Sequence, residues 1–163
     1  METGYFYFIK DEYYEKFKNC GLMENKEDAI LGKHGRPCYY CYEKDGLCWL
    51  IPISSRIEKY RKLYSEKMTR YNGKFDGIRF GYVNGRETAF LIQNLCPVTS
   101  DYIASEYRIS KNTVRVTIDR KLSEELNSIV RKALRLYIDR GVKIVLTDLD
   151  TILSGLNCRL ICQ

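Results

Sequence analysis

The sequence has no apolar run long enough to cross a bilayer, a single histidine and no second Cys-x-x-Cys motif. The first absence excludes a membrane-spanning helix, which needs about 20 apolar residues. The N-terminus also lacks a signal-peptide pattern, because charges follow directly on a short aromatic segment. We therefore expect a cytoplasmic protein with no membrane partner. Most of its seven cysteines would then stay reduced and pack as small apolar side chains.

The scarcity of metal ligands weighs against a zinc site. His34, Cys38, Cys41 and Cys48 are close enough in sequence to supply four ligands. Residues three apart in a regular strand, however, point to opposite faces of the sheet. Cys38 and Cys41 are therefore not expected to bind one ion, and we expect neither a metal nor another cofactor.

Basic charge and tyrosine are what the sequence has in excess. The net charge is +6, and 14 of the 163 residues are tyrosine. Positive charge favours an anionic partner. Cations interleaved with aromatic rings suit nucleic acid, because phosphates pair with the cations and bases stack on the rings. The alternative for any one tyrosine is that it packs in a small sheet with its hydroxyl at the rim.

Short strands joined by hairpin turns, with helices between and after them, predict an α+β fold. The predicted strands cover residues 5–9, 38–42, 47–53, 77–83, 87–92, 113–118 and 143–146. The predicted helices cover residues 12–18, 56–70, 101–106, 124–140 and 149–156, and Ser123 and Asp148 are the predicted N-caps of the last two. We expect one domain over residues 1–163: a small twisted, mostly antiparallel sheet or partly closed barrel, MazF-like, with outer helices.

The candidate site follows from a hairpin turn at Asp45-Gly46, a strong signal for a tight β-turn. Closing the hairpin there brings Arg36, Ser54 and Ser55 to one end of the sheet. An arginine fork can stabilise a phosphate, and the hydroxyls can bind phosphate oxygens or orient a ribose 2′-hydroxyl. This combination suits cleavage of a phosphodiester without metal. The alternative is that the serines are ordinary N-caps of the next helix.

Further candidates flank this corner. His34 or Tyr13 could act as acid or base. Helix 56–70 is rich in cations that could bind neighbouring phosphates, although such a face is often merely solvated. The candidate RNA-binding residues are Lys33, Arg56, Lys59, Lys62 and Tyr60.

Residues 99–115 superficially resemble the start of a helix-turn-helix motif, with a recognition helix opening at 110–115. Residues 113–118 are β-branched and alternate in polarity, however, which favours a strand. No three-helix unit surrounds them.

Arg36-Pro37 opening a strand, with a hydroxyl pair after the next strand, resembles the MazF-type toxin ribonucleases. Nearly the whole chain is more similar to the type III toxin–antitoxin endoribonucleases, the ToxN/AbiQ group and especially its CptN branch. The stretches that carry this resemblance are residues 7–14, 36–38, 52–56 with Lys59-Tyr60, 90–94 and 147–148.

The resemblance implies a metal-independent, sequence-specific bacterial endoribonuclease toxin, active in phage defence, that leaves 2′,3′-cyclic phosphate and 5′-hydroxyl ends. Its partners would be cellular RNA and a repeat RNA antitoxin, which the toxin cuts into pseudoknots and with which it forms a closed assembly. Tyr13 falls near the family's active-site tyrosine, Arg36 at a basic position and Ser54-Ser55 on a Thr-Ser pair. The lysine that follows this pair is absent, so either Arg56 or Lys59 would replace it.

Two other functions share some of these features. A non-catalytic RNA- or DNA-binding module needs the charge and the tyrosines but no cluster of Arg36, Ser54 and Ser55. An interaction protein without nucleic acid predicts binding that added salt does not weaken, whereas phosphate-driven binding falls steeply.

Overall fold

The computed structural model describes residues 1–25, 35–158 and 160. The strands are β1 (Phe6–Ile9), β2 (Pro37–Lys44), β3 (Leu47–Ser54), β4 (Arg79–Val83), β5 (Arg86–Phe90), β6 (Cys96–Val98), β7 (Ile103–Glu106), β8 (Arg108–Ile109) and β9 (Val114–Arg115). The helices are α1 (Asp11–Lys16), α2 (Ile57–Arg70), α3 (Arg120–Arg140) and α4 (Leu149–Gly155). Two short 3-10 segments cover Ile92–Asn94 and Ser100–Tyr102.

The main sheet runs in the order β4-β5-β3-β2-β1-β7, and β6 pairs with β3 beside this path. All of its pairings are antiparallel. Within the described part of the chain the sheet stays open, with β4 and β7 at its ends. The predicted α+β class with a mostly antiparallel sheet and outer helices is therefore confirmed.

The hairpin of β2 and β3 lies at the centre of the sheet. Its turn residues Asp45 and Gly46 have φ values of 53° and 74°, as a type I′ turn requires. β3 pairs with β2 along one edge and with β6 and β5 along the other. It is thus covered on both edges and both faces, which explains its nearly continuous apolar sequence and the complete burial of Trp49.

Alternate residues of this hairpin pack into two separate hydrophobic cores, one on each face of the sheet. Tyr39 and Cys41 pack with Trp49 and the apolar stripe of α3 on one face. Cys38 and Tyr40 pack with α1 on the other face. On that second face, α2 contributes Tyr60 to a third cluster. The end of the hairpin between α1 and α2 is where the candidate site lies.

Three local predictions were wrong. Residues 101–106 form the Ser100–Tyr102 turn and strand β7 instead of a helix, since β7 covers the edge of β1. Residues 143–146 follow α3 without pairing as a strand. Helix α3 is capped by Asp119 rather than Ser123: the Asp119 side chain accepts from the amides of Lys121 and Leu122.

The helix-turn-helix alternative is excluded. Strands β8 and β9 form a small hairpin around Ser110, Lys111 and Asn112, all of which have positive φ. The predicted recognition helix at 110–115 therefore does not exist. No helix of the described chain combines the length and the apolar character needed to cross a membrane.

Candidate functional site

The register of the central hairpin places Arg36 opposite Ser54. Cys38 pairs with Pro52, and continuing this antiparallel register by two residues, back to Arg36 and forward to Ser54, sets Arg36 opposite the last residue of β3. The Arg36 Nη1 atom donates a hydrogen bond to the Ile53 carbonyl at 2.6 Å. Arg36 and Ser54 therefore meet at one end of the sheet, as the turn signal predicts.

The guanidinium of Arg36 is buried without an ionic partner in the described part of the chain. Only 6% of the residue is exposed, and Nε donates to the Glu24 carbonyl at 3.2 Å. Both side-chain partners are neutral carbonyls, and among the described residues no carboxylate pairs with this cation. A guanidinium has five donors, and burying its charge unpaired is costly. The corner therefore favours an anion.

Arg36 is positioned from behind by Asn25. The Asn25 Oδ1 atom accepts from the Arg36 backbone amide at 2.7 Å, and its Nδ2 atom donates to Asp11 Oδ1 at 2.6 Å. Gly35 makes this approach possible, because a Cβ atom at that position would collide with the Asn25 carboxamide. Sequence reasoning missed Asn25, since nothing in the polar loop marks it except the nearby glycine, and it missed the contact of Asn25 with Asp11 at the start of α1.

The two serines differ in orientation. Ser54 is 6% exposed, and its Oγ accepts from the Arg56 amide at 3.3 Å. Its own proton has no acceptor among the described residues and is free to be donated to a ligand. Ser55 is exposed, and its carbonyl accepts from the Ile57 amide at 2.9 Å. Neither serine caps α2, which begins at Ile57 without a side-chain cap.

Exposed cations continue from this corner along α2. Arg56, Lys59 and Lys62 are all exposed. Tyr60 is 4% exposed and packs against Ile78, Ala89 and Leu91. RNA binding by Tyr60 stays a prediction, and the exposed cations are the candidates that reach the surface.

Tyr13 is a core residue. It is fully buried, and its hydroxyl donates to the Pro97 carbonyl at 2.8 Å. Burial raises the pKa of this hydroxyl well above its usual value. Among the described residues no hydrogen bond joins the Tyr13 hydroxyl to Arg36 or Ser54, and its proton is donated to the backbone. The predictions for His34 and Lys33 fall outside the described residues.

The cysteines of the central hairpin do not form a metal site. Cys38 and Cys41 lie in separate cores on opposite faces of the sheet, as strand alternation predicts. Burial raises the pKa of each thiol to about 12, so both stay protonated. Among the described residues there is no group of three or more histidine, cysteine, aspartate or glutamate side chains arranged to hold a metal.

No family model and no curated protein matches the sequence. A solved structure nevertheless shares the arrangement of sheet and helices. The fold resembles that of AbiQ. AbiQ is a lactococcal anti-phage endoribonuclease belonging to the type III toxin–antitoxin system. The TM-score is 0.68 over 96% of this chain and 97% of AbiQ, with 14% sequence identity. The likeness to AbiQ is thus one of fold, and it extends over nearly the full length of both chains.

Proposed function

We propose that this protein is a toxin endoribonuclease of a type III toxin–antitoxin system, in the ToxN/AbiQ group. The observation that carries the proposal is the buried Arg36 guanidinium, which is held beside Ser54 without a carboxylate partner in the described chain. The full-length likeness to AbiQ supports the same activity. The stretches that resemble CptN proteins favour that branch of the group.

The proposed reaction is transfer of the RNA phosphate to its own 2′-hydroxyl. Arg36 donates to the non-bridging oxygens and stabilises the charge of the pentavalent phosphate. Ser54 donates its free proton to the same phosphate or orients the 2′-hydroxyl. The 2′-hydroxyl gives up its proton as its oxygen bonds to phosphorus, the bond to the 5′-oxygen breaks, and the 5′-oxygen takes up a proton. The products are a 2′,3′-cyclic phosphate and a 5′-hydroxyl, and His34 is the proposed proton carrier. No step of this scheme needs a metal.

The proposed inhibitor is an antitoxin RNA cut by the same site. Arg56, Lys59 and Lys62 are exposed directly after Ser54, where they can bind the phosphates that flank the cut. Substrate and antitoxin then share one surface, because the antitoxin is also a product of the reaction. We propose that this RNA is a repeat-derived pseudoknot and that toxin and RNA form a closed assembly.

The test is induction of the protein in a bacterial host without its antitoxin, followed by mapping of new 5′-hydroxyl RNA ends. Wild type would be compared with Ser54→Ala and Arg36→Lys. Thr88→Val is the matched control, because Thr88 is an equally buried hydroxyl on β5. Its side chain lies on the other face of the sheet from Ser54, since its neighbour Ala89 is the residue that pairs with Ser54.

We expect growth arrest and sequence-specific ends with wild type and with Thr88→Val, and neither with the two site variants at equal soluble protein. Cleavage that persists in both site variants would refute the site but not the ribonuclease. A soluble wild type that arrests nothing and yields no new ends would refute the enzyme and favour a non-catalytic nucleic-acid-binding module.

A further inference from the structure

A cavity of about 390 Å³ opens at the far end of α2 from Ser54. Its walls come from the segment after α2, from α3 and from residues 143–146. The 14 residues of α2 span about 21 Å, a distance that several nucleotides of single-stranded RNA can cover. The exposed cations of α2 lie between the two places.

Two parts of the lining of this cavity are apolar and open to solvent. Tyr71 and Phe75 form one wall, with their rings stacked at 6.2 Å and an interplanar angle of 19°. Ile144 and Leu146 contribute to the other wall and are 40% and 58% exposed. Large apolar side chains left exposed around a cavity commonly mark a binding site. The slot between these walls suits a flat, partly apolar group.

A buried carboxamide lines the same slot. Gln93 is 6% exposed, and its backbone is fixed by hydrogen bonds to the Gly77 carbonyl and from the Leu146 amide. Its side-chain amide has no hydrogen-bond partner among the described residues, although it lines the cavity. The adjacent donor and acceptor of this amide match the hydrogen-bonding edge of a nucleobase.

The rim of the cavity is basic. Four lysines line it: Lys67, Lys74, Lys132 and Lys143. Lys132 pairs with Asp76 and Lys143 with Asp150, whereas Lys67 and Lys74 have no ion-pair partner in the described chain. Burial opposes ionisation of Asp76, but hydrogen bonds from Arg79 and Lys132 outweigh it and lower the pKa of that carboxyl. The unpaired charge at the rim is therefore positive and favours an anion.

We infer that this cavity binds one unpaired nucleotide of an RNA strand, several nucleotides away from the phosphate at Arg36. The base lies between Tyr71 and the apolar wall, Gln93 reads its edge, and Lys67 or Lys74 binds its phosphate. The inference rests on the proposed function and extends it, because such a subsite makes recognition depend on the base that enters it.

The test is an NMR titration of the Ser54→Ala protein with AMP, GMP, CMP and UMP in turn, following the side-chain amide of Gln93. We expect a saturable shift that is largest for one of the four nucleotides and weakens with added salt. Tyr71→Ala should lower the affinity roughly tenfold or more, as loss of base stacking does. Gln93→Met should reduce the discrimination between bases. Tyr82→Ala, which removes a 67% exposed tyrosine on β4, should change nothing.

Absence of a shift at millimolar nucleotide, or equal binding by Tyr71→Ala, would overturn the inference. Tyr71 is 44% exposed, so its variant decides the matter even where Gln93→Met fails to fold. The NMR lines of Ile144 and Leu146 would broaden with rising protein concentration, and would not respond to added nucleotide, if this were a self-association surface instead. The titration measures nucleotide binding and does not depend on RNA cleavage. If the nucleotide binds saturably but the wild-type protein cuts no RNA, the enzyme is refuted and the subsite is not.

Discussion

The backbone amide of Arg36 depends on a relay of two side chains that do not touch the proposed substrate. Asn25 accepts from this amide and donates to Asp11, which fixes the start of β2. A loop residue that holds Arg36 in this way is a positioning residue if Arg36 binds the phosphate as proposed. Loss of the Asn25 side chain should alter the geometry around Arg36 without removing the charge of Arg36.

Asn25→Ala should therefore reduce RNA cleavage by about fivefold, since a lost hydrogen bond is worth about 1 kcal/mol. The sharper variant is Asn25→Asp, which keeps the acceptor for the Arg36 amide but sets two carboxylates side by side. Combining it with Asp11→Asn recreates the pair with donor and acceptor exchanged. We expect this double variant to recover most of the activity in a kinetic assay. A double variant no better than Asn25→Asp would contradict the relay.

Two other single residues show where residue type misleads. Tyr13 and Tyr60 belong to the aromatic excess that favours RNA binding, yet both are buried in the core. Tyr14, which follows Tyr13, and Lys59, which precedes Tyr60, are both more exposed. Which tyrosine of a helix faces inward depends on how the helix packs against the sheet, as α1 does with Tyr13 against Cys38.

At the scale of elements, the turns were the most predictable part of the fold. Asp45-Gly46, Asn72-Gly73 and Asn84-Gly85 all have two consecutive positive φ values, as their sequences predict. Strand β7 was missed because its partner β1 lies about 95 residues earlier in the chain, and no local pattern reveals such a pairing. The same contrast holds for the site. The meeting of Arg36 and Ser54 follows from one turn, whereas Asn25 reaches Arg36 only through tertiary packing.

The cap of α3 offers a direct test at this scale. Asp119 accepts from two amides of the first turn, at 2.9 Å from Lys121 and 3.2 Å from Leu122. Asp119→Ala should lower the free energy of unfolding by about 1 kcal/mol in urea melts, and Asp119→Asn should lower it by less because asparagine also caps. Equal stability of all three proteins would show that this cap contributes nothing.

At the scale of the whole molecule, buried thiols make stability depend on pH. Burial raises the pKa of Cys38 and of Cys41 to about 12, whereas an unfolded chain releases these protons near pH 9. The stability is therefore complete below about pH 9 and is lost as pH rises toward 12. Each thiol should lower the free energy of unfolding by about 1.4 kcal/mol between pH 8 and pH 10. Denaturant melts that coincide at the two pH values would contradict this.

The distribution of cations predicts how RNA binding responds to salt. Each phosphate contact to a single strand contributes about −0.7 to the slope of log K against log salt. Replacing Arg56, Lys59 and Lys62 by alanine in the Ser54→Ala protein should therefore reduce the slope by about two. A matched triple change of exposed α3 cations, Lys121, Arg135 and Arg140, should leave it unchanged. An equal reduction of the salt slope in both triple variants would indicate general electrostatic attraction rather than phosphate binding by Arg56, Lys59 and Lys62.

The central claim is that Arg36 and Ser54 form a ribonuclease site, and cleavage by the purified protein in EDTA tests it most directly. The assay would compare wild type, Ser54→Ala, Ser55→Ala and Thr88→Val on one RNA, with the new ends identified chemically. We predict 5′-hydroxyl ends from wild type and Thr88→Val at rates that EDTA does not change. Ser54→Ala should lower the cleavage rate by about a hundredfold or more, as the loss of a transition-state donor does. Ser55→Ala should lower the rate far less, because Ser55 is exposed. Ser54→Ala that cuts at the wild-type rate, or wild type that cuts nothing, would contradict the account.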